Sequence, residues 1–126
     1  ALGHEASGLW SNDDKLRDRI HEAGNAVDEL AWPMPLLPAF EKEMTSSKFA
    51  DVRNGGKGRW GGANTAAAFL KQFVQEREGE DGEKSQIPWA HLDIAGTAWG
   101  ADTNACVAHG GTGVHVRTLH LLITQD

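Results

Sequence analysis

Four side chains in the last third of the chain are of types that could hold a metal ion: His91, Asp93, Cys106 and His109. In a strand, residues i and i+2 face the same way, so His91 and Asp93 could approach one ion. Cys106-x-x-His109 follows in a glycine-rich stretch that could swing two more ligands over them. Zinc sites legible in sequence, however, repeat short ligand pairs at a defined spacing, and this set does not. A hydrogen-bonded His/Asp pair within the scaffold is the simpler reading of His91 and Asp93. His115 and His120 stand five apart, which misses the i, i+4 geometry of two ligands on one helix face. They read as surface histidines.

Covalent chemistry has less support. No Gly-x-Ser-x-Gly elbow occurs, and Cys106 has no electropositive neighbourhood in sequence to favour its thiolate. Gly55-Gly56-Lys57-Gly58 lacks the spacing, the following Ser/Thr and the preceding strand of a phosphate loop. Paired carboxylates such as Asp13-Asp14 and Glu80-Asp81 fall at a helix start and in a charged loop, where they are solvated. The residues alone display no complete active site: no catalytic residue and no metal ligand set is assigned.

The elements that must position these residues begin with a helix after Ser11-Asn12-Asp13-Asp14. Ser11 is placed to cap it and Asp14 to close a capping box. Leu16, Ile20, Ala23, Val27 and Leu30 recur at helical spacing, and Trp32-Pro33 should end the run. A short helix is expected near Pro38–Met44. Residues 53–62, dense in glycine, form a loop. A second strong helix runs from about Ala63 to Glu76, and Glu76–Lys84 reads as a solvated surface loop. Residues 88–96 look like a buried strand entering a glycine turn. The tail from Val114 to Thr124 fits a strand by its alternation, or a helix behind a Thr112 cap.

Composition bounds the rest. The 126 residues carry 40% hydrophobic and 24% charged side chains, which suits one globular domain. A net charge of −6 argues against a nucleic-acid surface. No apolar run is long enough to cross a bilayer, and the N-terminus has no signal-peptide pattern. A lone cysteine fits a reducing compartment, so the cytoplasm is expected. The inventory holds several helices and one confident core strand, and one strand cannot satisfy its own backbone groups. Either the tail supplies a neighbour or the missing strands lie in sequence before Ala1. The start without Met at Ala1-Leu2-Gly3 favours the second.

Three stretches together resemble one family. They are Gly61-Gly62-Ala63-Asn64-Thr65-Ala66-Ala67-Ala68-Phe69-Leu70-Lys71-Gln72-Phe73, Trp89-Ala90-His91-Leu92-Asp93-Ile94-Ala95-Gly96, and Gly113-Val114-His115-Val116-Arg117-Thr118-Leu119. Their order and spacing are similar to the C-terminal part of the cytosolic, two-metal leucyl aminopeptidases. Weaker support comes from Gly8-Leu9-Trp10-Ser11-Asn12-Asp13 and Ser46–Asn54, so the similarity covers nearly the whole chain.

The resemblance implies an α/β fold: the C-terminal portion of a three-layer, mixed-sheet metalloaminopeptidase domain, mostly helices plus one core strand in residues 1–126. It implies release of N-terminal residues, leucine-like ones preferred, from peptide substrates by two divalent ions of zinc or manganese type, in a homo-hexamer. The family's metal-binding lysine and carboxylates, and its N-terminal domain, would precede Ala1. This chain is therefore expected to bind no metal and to be inactive alone. By the family's pattern Ala95 and Ala98 line the slot for the substrate's N-terminal side chain, and Gly55 stands near the next subsite. A tail helix packed on the sheet is also implied. The alternative is a non-catalytic structural or assembly module that kept this scaffold.

Overall fold

A computed structural model of the chain describes residues 1–100 and 109–125. The described elements are β1 (Ser7–Ser11), α1 (Asp14–Ala26), β2 (Ala31–Pro33), α2 (Pro38–Met44), α3 (Gly62–Lys71), β3 (Glu76–Glu78), β4 (Lys84–Gln86), β5 (Ala90–Asp93) and α4 (Val116–Thr124).

The core strand does find its neighbours within the chain. β5 runs antiparallel to β1, pairing Leu9 with Leu92 and Trp10 with His91. β1 in turn runs parallel to β2 through a crossover by α1, a βαβ unit. The described sheet is thus mixed, in the order β2-β1-β5. This corrects the expectation of a single core strand. β1 escapes a search for alternation because both of its faces are covered: Ser7, Gly8, Leu9 and Trp10 are all buried.

The two faces of β1 do different work. Leu9 joins Ile20 of α1 and Ala31 of β2 in a core flanked by Leu16, Ala90, Leu92 and Leu122, so α1 and α4 cover this face. On the opposite face Trp10 is fully buried, and its indole Nε1–H donates to Asn64 Oδ1 of α3 at 3.0 Å. That bond gives the indole the partner a buried Trp needs. A β-carbon on Gly8 would lie 2.5 Å from the Trp10 ring, so the ring lies over a position that only glycine can occupy.

Several helix boundaries differ from expectation. Asp13, not Ser11, caps α1, accepting from Leu16 N–H at 2.7 Å. Ser11 is committed to the end of β1, where its hydroxyl donates to the Trp89 carbonyl at 2.7 Å and accepts from Asp13 N–H at 3.1 Å. α1 stops at Ala26 rather than running to Trp32-Pro33. Asp28 turns left-handed at φ 57° and the chain doubles back, with Glu29 N–H on the Gly24 carbonyl at 2.9 Å. Val27 and Leu30 therefore extend the apolar period without being helical. α2 forms as expected, with Pro38 in its first turn. α3 ends at Lys71, not Glu76. Glu76–Lys84 belongs to an exposed two-stranded hairpin rather than an irregular loop, turning through Glu80-Asp81, with Gly82 N–H on the Gly79 carbonyl and Gly82 left-handed at φ 82°. The tail is a helix.

α4 has no cap of its own kind. Its first flanking residue is His115, left-handed at φ 66°, with no side-chain cap bond. A carboxylate from β2's approach takes that role: Glu29 Oε2 accepts from Thr118 N–H at 2.9 Å and Thr118 Oγ1–H at 2.7 Å, and Oε1 from Arg117 Nε–H at 3.0 Å. The negative charge meets the positive end of the helix. Burial pushes the Glu29 carboxyl up, but the Thr118 hydroxyl, the Thr118 N–H and the Arg117 guanidinium together hold it below the usual carboxylate range.

His115 lies inside this cluster. It is 3% exposed, which corrects its reading as a surface histidine, while His120 is exposed. Thr118 spends its hydroxyl proton on Glu29, so it accepts from His115 Nδ1–H at 3.1 Å. Nε2 is buried without a partner among the described residues. Burial pushes the imidazole below its ordinary value, and the Glu29 charge offsets this only in part.

Candidate functional site

The turn after β5 contains two of the three expected pocket residues. Asp93 Oδ1 accepts from Ala95 N–H at 3.0 Å, and the Ile94 carbonyl accepts from Thr97 and Ala98 N–H at 3.0 and 2.9 Å. These bonds fold residues 93–98 into one tight unit that presents Ala95 to solvent and leaves Ala98 half-buried.

Contacts from both ends of the chain fix that unit. The Gly96 carbonyl bonds His4 Nδ1 at 2.7 Å, and Gly96 lies against the Gly3 backbone. The Ser7 and Thr97 hydroxyls are 2.7 Å apart. On the far side Thr112 donates its hydroxyl to the Thr97 carbonyl at 2.7 Å and its N–H to the Ala98 carbonyl at 3.0 Å. Gly3, His4, Ser7, Thr97 and Thr112 are thus the positioning residues that the sequence reading missed. The one available signal was the pair of glycines, Gly3 and Gly96, each fitted for close backbone approach.

Gly55 sits on a different loop. Arg53 N–H is held by the Met44 carbonyl at 2.7 Å and Lys57 N–H by Glu43 Oε1 at 2.5 Å, so α2 anchors the loop on either side of it. A β-carbon at Gly55 would meet nothing within 4 Å. Ala95 and Ala98 are therefore brought together, and Gly55 does not pack against them. A crevice of about 60 Å³ between α1 and α4, lined by Arg19, Glu22, Ala23, Leu122 and Gln125, contains none of the three. It is far below the ~300 Å³ of an ordinary small-molecule site.

The metal-type residues among those described have other partners. His91 stacks on Trp89, with ring centroids 6.3 Å apart and planes at 7°, and packs on Trp10 at 5.7 Å. Burial pushes its imidazole below the ordinary value, and Asp93 offsets this in part. Asp93 serves the turn, its Oδ1 accepting from Ala95 N–H. His109 is exposed, and Cys106 lies outside the described residues. Among the described residues no three His, Cys, Asp or Glu side chains converge on a point. They do not fit a two-metal cage.

Residues 1–120 match the cytosol aminopeptidase family, catalytic domain. The chain belongs to this family. It is 46% identical over 123 residues to a "Probable cytosol aminopeptidase" of Methylobacterium radiotolerans, covering 98% of this chain and 22% of that protein. A protein of the same name from Solibacter usitatus is 49% identical over 119 residues, 94% of this chain and 22% of its own length. One from Brucella melitensis biotype 1 is 45% identical over 126 residues, all of this chain and 24% of its own. The chain thus spans about a quarter or less of the cytosol aminopeptidases it matches. No helix among the described residues is long and apolar enough to cross a membrane.

Proposed function

We propose that this chain is the C-terminal part of the catalytic domain of a metal-dependent aminopeptidase that releases N-terminal residues, leucine-like ones preferred, from peptides. Its role there is scaffold and pocket wall. The family membership supports the reaction class. The observation that carries the pocket role is the turn of Ala95 and Ala98: small side chains on a unit held by seven hydrogen bonds, to Asp93, Ile94, His4, Ser7 and Thr112. A wall must hold its shape to discriminate side chains by size, and these bonds give it that rigidity.

The same reading makes the mixed sheet, covered by α1 and α4 on one face and by α3 on the other, part of a three-layer domain. Two divalent ions of zinc or manganese type would be held by a lysine and carboxylates outside residues 1–126. When bound they supply Lewis acidity and an activated water. The chain's own residues orient the substrate's N-terminal side chain against Ala95 and Ala98 and keep water from it, with Gly55 near the following subsite. The functional enzyme would be a cytoplasmic homo-hexamer. Assayed alone with zinc or manganese, residues 1–126 release no leucine from leucyl amide, whereas the protein containing the lysine and carboxylate set does. Turnover by the isolated chain would contradict the division of labour.

A further inference from the structure

Five asparagines occur in the sequence, and only Asn54 is followed by glycine. The structure treats it unlike Asn12, Asn25 and Asn64. Asn12 donates to the Ile87 carbonyl and accepts from Trp89 N–H at 2.7 Å. Asn64 accepts from Trp10, and Asn25 bonds His21. Asn54 is exposed, and among the described residues neither its amide nor the Gly55 N–H makes a hydrogen bond. Arg53 and Lys57 are tied down on either side, and between them no side chain crowds Gly55.

We propose that Asn54-Gly55 is a self-modification site, at which the loop converts spontaneously to aspartyl and isoaspartyl forms. The Gly55 amide nitrogen, its proton taken by solvent base, attacks Asn54 Cγ, and ammonia leaves to give a cyclic succinimide. Water then opens either carbonyl. Opening at Cγ leaves aspartate, and opening at the main-chain carbonyl leaves isoaspartate. The net change is one water consumed and one ammonia released. Three features favour it. Glycine at the attacking position has the backbone freedom the ring requires. The amide has no partner to hold it back. The flanking Arg53 and Lys57 cations favour the ionised nitrogen. The product puts a carboxylate between those cations, and in the isoaspartyl form the main chain gains a methylene beside Gly55. This chemistry does not depend on the aminopeptidase reading.

The test is incubation of the purified chain in mildly alkaline buffer at body temperature, followed by peptide mapping with fragmentation that separates the two isomers. A synthetic Ala50–Arg59 peptide run in parallel gives the unprotected rate. The expected result is conversion at Asn54 within a few-fold of the peptide's rate, isoaspartate in excess, with Asn12, Asn25 and Asn64 intact. Gly55→Ala removes about 1 kcal/mol of backbone freedom and should slow conversion roughly fivefold. Asn54 remaining intact while the peptide converts, or conversion spread equally over the other asparagines, would overturn the proposal.

Discussion

Gly96 and Gly3 touch backbone to backbone: a β-carbon on Gly96 would fall 1.8 Å from the Gly3 carbonyl oxygen. The contact joins residues far apart in sequence and seats the turn that carries Ala95 and Ala98. It leaves no room for adjustment, because the obstacle is main chain rather than a flexible side chain.

Gly96→Ala must therefore push the turn off the Gly3 segment and break the His4 bond with it. The expected loss is about 3 kcal/mol of stability, the upper range for inserting a methyl where none fits. Urea unfolding of the variant against the parent checks this. An unchanged midpoint would mean that the two segments do not touch.

Glu29 and His115 predict a two-stage pH dependence. His115 is depressed in the folded state, so below the ordinary histidine value near 6.5 the unfolded chain binds the extra proton and stability falls with falling pH. Glu29 is also depressed, so its contribution is present above the ordinary carboxylate value and is lost as pH falls through the lower folded one. His115→Asn keeps a residue tolerant of the left-handed backbone and should shrink the first stage, leaving the part contributed by His91, which burial also depresses, and leaving the Glu29 stage intact. Thermal melts across acidic pH read both stages; a parent profile flat between neutrality and the carboxylate range would contradict the His115 step.

Glu29→Gln keeps the shape and removes the charge that meets the start of α4. Three donors converge on that carboxylate, so a loss of about 2 kcal/mol at neutral pH is expected. The gap between variant and parent should close in acid, where the parent carboxylate is protonated. Equal destabilisation at all pH values would show that shape rather than charge matters.

Trp10→Phe deletes the indole bond to Asn64 and part of the ring filling the space over Gly8. About 2 kcal/mol should be lost, through an unpaired buried amide and a void together. A double-mutant cycle with Asn64→Ala measures the coupling, and additive losses would contradict the bond.

Much of this was legible from residue types, and the exceptions share causes. α2, the glycine loop and β5 carry local signals: a proline in the first turn, a run of glycines, a short apolar strand. β1 carries none, because Ser7-Gly8-Leu9-Trp10 is buried on both faces and its second face is built from glycine and an indole. Val27 and Leu30 extended the helical period past its true end, since periodicity cannot see Asp28 turn left-handed. The Glu29–Thr118 link, like Gly3–Gly96, depends on residues distant in sequence. The hairpin at Glu76–Lys84 did have a signal in Asp81-Gly82, masked by charge on either side. His115 was misplaced for the same reason as β1: burial is set by a tertiary neighbour. The pocket residues came from family resemblance, whereas the bonds that hold them came only from the fold.

The most direct test of the pocket wall is Ala98→Phe in the protein that contains this chain together with the metal-binding residues. With kcat/KM measured for leucyl and glycyl amides side by side, the leucyl value should fall by a factor of about 100 or more while the glycyl value changes little. That ratio corresponds to about 3 kcal/mol of lost transition-state binding. Equal losses for both substrates would contradict a wall at Ala98.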